Sequence, residues 1–131
     1  MVVHRVAPAR APEATALRRT LASWARALGA DEDTVDDLVL AVYETIANVV
    51  DHAYRGRAGS LELRAWPRSD ALVVVVSDRG RWRMPSSDDA ANSLRGRGLK
   101  LIKNLAGNAV IEPGEHDTTV RMTWPRARQH R

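Results

Sequence analysis

The sequence predicts an α+β fold, a two-layer sandwich with helices on one face of a mixed, mainly antiparallel sheet. Three observations predict it. Two stretches in the N-terminal half, residues 13–28 and 31–53, repeat apolar side chains at helical spacing. Four shorter runs, at 60–66, 71–77, 108–111 and 118–124, alternate or are continuously apolar and lie between turn residues. Those runs come in pairs close in sequence, which suits hairpins better than crossovers.

Taken in order, residues 2–6 read as a short strand, and Pro8 and Pro12 then punctuate the chain. Leu17, Leu21, Trp24 and Leu28 mark one face of a first helix, with Gly29 as its stop. The second helix opens on Asp31, Glu32 and Asp33, whose charges suit the positive end of a helix dipole. The acidic run 31–37 reads as solvated capping. Val35, Leu38, Val39, Val42, Ile46, Val49 and Ala53 mark its buried face, and Gly56 and Gly59 end it. Leu61, Leu63 and Ala65 alternate along a half-buried strand. After a turn at 67–70, the unbroken run from Leu72 to Val76 reads as a central strand. Residues 78–95 lack periodicity and are rich in Arg, Ser, Asp and Gly, so they read as a long functional loop, a mobile lid. A short helix at 99–106 and two strands complete the order β-α-α-β-β-loop-α-β-β, and residues 125–131 read as a frayed tail. Trp24, Trp66 and Trp124 read as packing residues, whereas Trp82 falls in the lid.

The 131 residues suit one domain. The chain has no cysteine, which excludes disulfides, thiolate metal sites and a cysteine nucleophile. No apolar run approaches the roughly 20 residues that span a bilayer, and the first residues do not read as a signal peptide, so a cytoplasmic location is expected. The net charge is +4, with 20 Lys and Arg against 16 Asp and Glu. The arginines are scattered and stacking aromatics are few (no Phe, two Tyr), which argues against direct nucleic-acid binding.

Glu44, Asn48 and His52 carry the chemistry of the second helix. Steps of four residues turn about 400°, so the three groups form one shallow polar stripe about 12 Å long. A carboxylate can take a proton, an amide oxygen can bind a hard cation, and an imidazole can hold a hydrogen-bond network. Read alone, the stripe also fits an exposed helix face, and His52 a structural histidine. Asp78-Arg79-Gly80 directly follows the buried strand, where an aspartate can accept from an exocyclic amine and a glycine lets a ligand approach. It also fits a strand-ending turn. Gly96-Arg97-Gly98 opens a helix, where free amides and the dipole suit an anion, or where glycines simply close a loop. Arg95 and Arg97 add positive charge there. Thr118 and Thr119 open the last strand and say little by themselves.

As an ordered set these motifs resemble the Bergerat-type (GHKL) ATP-binding fold shared by gyrase, MutL and histidine kinases. Glu44-x-x-x-Asn48-x-x-x-His52-Ala53-Tyr54 resembles its N box, Asp78-Arg79-Gly80 its adenine box, Arg95-Gly96-Arg97-Gly98-Leu99 its second glycine box, and Asp117-Thr118-Thr119 its final box. The short length and the Asn-x-x-x-His-Ala-Tyr ending are most similar to bacterial anti-sigma-factor serine/threonine kinases. The resemblance implies ATP and Mg²⁺. It makes Glu44 the general base for a serine or threonine hydroxyl and Asn48 a Mg²⁺ ligand. Asp78 becomes the adenine acceptor, with Gly80 giving room and Thr119 supporting the contact, while Gly96 and Gly98 shape the phosphate loop. It further implies a homodimer that phosphorylates an anti-anti-sigma (STAS-type) protein and sequesters an alternative sigma factor. The alternative is an ATP-binding regulatory module that binds partners without phosphotransfer. Trp82 and Asp117 stand where the family pattern has glycines.

Overall fold

The computed structural model describes residues 1–49, 59–78, 106–113 and 118–126. Strand β1 (Val3–Pro8) leads into helices α1 (Ala11–Ala27) and α2 (Glu32–Asn48); strands β2 (Ser60–Pro67), β3 (Ala71–Asp78), β4 (Asn108–Pro113) and β5 (Thr118–Pro125) follow. The strands form one sheet in the order β1-β2-β3-β5-β4, and each of these pairings is antiparallel. The expected α+β architecture, with a mainly antiparallel sheet, is therefore present. The expected helix at 99–106 and the lid at 78–95 lie outside the described residues, apart from Asp78 and Ala106.

Local chemistry explains both ends of α1 and the start of α2. Extended backbone at Arg10 and a proline in the first turn start α1, and Glu13 there accepts from Arg10 Nη2 at 3.1 Å. At its far end Gly29 takes φ +87°, Gly29 N–H bonds Arg26 O, and Ala30 N–H bonds Ala25 O, each at 3.0 Å. This is a Schellman closure, which needs a left-handed residue and therefore favours glycine. Two residues later Asp31 caps α2 by accepting from Thr34 N–H at 2.8 Å. The Arg26 guanidinium meets the Glu32 carboxylate through Nε–Oε2 and Nη2–Oε1, both at 3.0 Å, and fastens the two helices across this turn.

The helices bury their apolar stripes on one sheet face. α1 packs on α2 and β1, and α2 lies over β3 and β5. Leu21, Leu38, Val42 and Ile46 meet Leu61, Leu63, Leu72, Val74, Val76, Val120 and Met122, all essentially without solvent contact. Each such side chain contributes about 1.5–3 kcal/mol through burial. The α2 buried face is wider than apolar periodicity predicts: Ala41, Thr45 and Asn48 belong to it, while Val39 is only partly buried. Thr45 tolerates burial because its hydroxyl donates to Ala41 O at 2.8 Å, with Met122 Sδ of β5 at 3.6 Å. The expected extension of α2 to Ala53, with Gly56 ending it, lies outside the described residues.

On the opposite face, Arg121 of β5 stacks over the Trp66 ring of β2, 5.8 Å from its centroid. These residues reach toward each other across β3, and Val73 between them is fully buried although it points away from the helices. β1 runs two residues further than expected, to Pro8, because a strand at the sheet edge does not need an N–H there.

Candidate functional site

Glu44 and Asn48 sit one turn apart on α2. Glu44 is half-buried, and Asn48 is 6% exposed. Neither projects into bulk water. Among the described residues, Asn48 Nδ2 is the one buried side-chain nitrogen or oxygen without a hydrogen-bond partner. An amide left so costs about 1–3 kcal/mol, and native interiors rarely keep one without a reason. Asn48 therefore carries a buried amide nitrogen without a hydrogen-bond partner. Its oxygen suits a hard cation, and its N–H groups suit a phosphate oxygen.

Asp78 ends β3 on the same helix-facing side of the sheet and is 4% exposed. Alternation along β3 dictates this, since Leu72, Val74 and Val76 share its parity and are buried against the helices. A carboxylate here is placed among apolar neighbours at a strand end, where a base edge can be met by one specific acceptor. Asn48 on α2 and Asp78 on the helix-facing side of the sheet are thus both buried, and Glu44 stands half-buried one turn from Asn48.

The expectation for Thr119 requires correction. Thr119 pairs with Ser77 in the β3–β5 register and turns to the face away from the helices, where its Oγ1 lies 3.4 Å from Ser77 Oγ. Thr118 pairs with Asp78, is 1% exposed, and shares its face. The physical reason is the two-residue period of a strand: adjacent threonines point to opposite sides. Reasoning from the motif missed Thr118. The signal that finds it is parity with Val120, Met122 and Trp124, the inward apolar residues of the same strand. Both Asp78 and Thr118 have partners within the fold.

His52, Gly80, Arg95, Gly96, Arg97 and Gly98 lie outside the described residues, as do Trp82 and Asp117. Among the described residues no cluster of three or more His, Asp or Glu could hold a metal, and no helix is long and apolar enough to cross a membrane.

Comparison with known proteins bears out the fold. The profile of the histidine kinase-like ATPase domain family matches residues 7–124. A serine-protein kinase RsbW from Bacillus cereus (strain Q1) is 32% identical over 73 residues, covering 56% of this chain and 46% of that protein. RsbW from Bacillus licheniformis is 34% identical over 74 residues, with the same shares covered. The chain thus matches about half the length of these curated relatives. Among solved structures, the RsbU and RsbW domains of Rv1364c from Mycobacterium tuberculosis superpose with a TM-score of 0.75 at 25% identity, covering 97% of this chain and 33% of that one. The histidine kinase domain of the Erythrobacter litoralis EL346 blue-light activated histidine kinase gives a TM-score of 0.59 at 20% identity, covering 88% and 60%, and shares the fold.

Proposed function

This chain belongs to the histidine kinase-like ATPase domain family, and from that premise we propose that it binds ATP with Mg²⁺ and phosphorylates a serine or threonine of a partner protein. The observation that supports the reading best is Asn48, a buried amide with an unpartnered nitrogen, one turn from Glu44 on α2. The residues present suit the nucleotide. Asp78 accepts from the adenine amine, and Thr118 rather than Thr119 supports that contact. Gly80 gives room, Gly96 and Gly98 with Arg95 and Arg97 wrap the phosphates, and His52 holds the end of the polar stripe. Asn48 is the protein ligand for Mg²⁺, which when bound neutralises phosphate charge and needs few protein ligands.

In the proposed step Glu44 accepts the proton of the acceptor hydroxyl as its oxygen bonds the γ-phosphorus. The bond from that phosphorus to the β–γ bridging oxygen breaks, and ADP leaves. Glu44 is suited to this because it is half-buried, reachable by a protein substrate yet held by α2.

The resemblance to RsbW serine-protein kinases extends the proposal to partners. The acceptor is an anti-anti-sigma protein of the STAS type, an alternative sigma factor is the sequestered partner, and the kinase acts in the cytoplasm as a homodimer. Incubation with labelled ATP and the STAS partner tests this. Label on the partner, lost in Glu44→Ala, supports the kinase. ATP binding with no label on any partner assigns a regulatory module instead.

A further inference from the structure

We infer that the free edge of β1 is the contact between two copies of this chain, which pair their β1 strands antiparallel about a two-fold axis at His4. The inference deepens the homodimer reading above and depends on it only for the existence of the pair.

Among the described residues β1 ends the sheet order, so one of its sides carries main-chain groups that no described strand pairs with. Which residues face that side follows from the ladder. Ala9 N–H bonds Gly59 O at 2.8 Å, continuing the β1–β2 register. Alternation then turns the main chain of Val3, Arg5 and Ala7 toward β2, and that of His4 and Val6 outward. The Arg5 side chain reports the same parity, because its Nη1 donates to His4 O at 2.9 Å.

Apolar exposure concentrates on this short segment. Val2 is 70% and Val6 67% exposed. With His4 they lie on one side of the strand, the side away from the helices. They also stand symmetrically about His4. A second β1 paired on a two-fold at His4 sets Val2 opposite Val6 of the second copy and Val6 opposite its Val2, so each exposed valine meets another. Met1, 68% exposed, then falls opposite Ala7 of the second copy. Shifting the axis to Arg5 sets Val2 against Pro8, which has no N–H to give, and separates the valines. Of these two registers, the one at His4 sets both exposed valines of each copy against those of the other. The His4 ring is held beside β2, with its Nε2 2.6 Å from Glu62 Oε2, where Arg64 also binds. The Arg5 guanidinium must move, because it occupies the His4 carbonyl.

The chain lacks cysteine, so a single introduced thiol is a clean reporter. In a hydrogen-bonded antiparallel pair, residues on the axis have Cα atoms about 5.5 Å apart, within disulfide reach. Under mild oxidation His4→Cys is expected to give a covalent dimer, whereas Val110→Cys on the opposite edge strand β4 is not. Light scattering on the unmodified chain is expected to show a dimer, weakened about tenfold or more by Val6→Asp and strengthened by Arg5→Ala, which uncovers the edge. Both side chains are exposed, so circular dichroism of each variant is expected to match the parent. A monomer at every concentration overturns both this inference and the homodimer reading. A dimer that His4→Cys does not cross-link, or that Val6→Asp leaves intact, overturns the β1 contact and leaves the homodimer reading standing.

Discussion

Thr118 stands opposite Asp78 across β3 and β5, both side chains buried on the helix-facing side of the sheet. One residue on, Thr119 stands opposite Ser77 on the other side. Adjacent threonines in one motif are therefore separated by the full thickness of the sheet.

That separation predicts unequal nucleotide phenotypes. Thr118→Val is expected to weaken Mg²⁺-ATP binding about tenfold, the scale of one buried hydrogen bond. Thr119→Val is expected to leave binding within about twofold, because its side chain faces away from the interlayer. Isothermal titration of both variants checks this, and equal losses would contradict the assignment of Thr118.

Asn48 predicts a trade between stability and binding. Replacing it with leucine removes an amide whose nitrogen is buried and unpartnered. The nucleotide-free variant is expected to be more stable by about 1 kcal/mol in urea unfolding. The same variant is expected to lose Mg²⁺-dependent ATP binding. A nucleotide-free protein clearly destabilised by Asn48→Leu would show that the amide serves the fold.

Gly29 isolates a backbone effect. An added Cβ there meets no atom within 4 Å, so any cost of Gly29→Ala comes from the positive φ alone. The expected loss is about 1–2 kcal/mol, read as a lower urea midpoint. ATP binding per folded molecule is expected to stay unchanged.

Acid is expected to destabilise the protein through three carboxyls, Asp31 and Glu32 exposed and Glu62 half-buried. The Thr34 N–H bonded to Asp31 holds that carboxyl below its ordinary value of 3.8. Hydrogen bonds from Arg26 to Glu32 and from His4 to Glu62 hold those two below 4.5. A carboxyl lowered by folding adds stability above its unfolded pKa and loses it as pH falls through its folded pKa. Stability is thus expected to hold from neutral pH down to about 4.5 and to decline below it. Urea midpoints measured from pH 7 to pH 3 test the slope, and Asp31→Asn should flatten it.

Local patterns carried much of the fold. Leu17, Leu21 and Trp24 announced α1, and the Asp31 cap with Gly29 just before it marked the helix boundary. The run Leu72–Val76 announced a central strand, and β3 does lie mid-sheet. Thr45 was not legible as a buried residue, because a polar side chain enters a core only when its own backbone satisfies it, here through Ala41 O. Val73 was not legible either. Its burial on the outer face depends on Trp66 and Arg121 from two other strands.

The sequence by itself determined which of the described segments are helix and strand, where the first helix stops, and that Glu44 and Asn48 stand one turn apart on α2. These follow from period, capping and backbone freedom, all properties of neighbours in the chain. Only the tertiary structure decided that β5 inserts between β3 and β4, that Asp78 faces Thr118, and that Asn48 keeps an amide nitrogen buried without a partner. Strand order, register and polar satisfaction are set by contacts between distant segments, whose energies no local pattern contains.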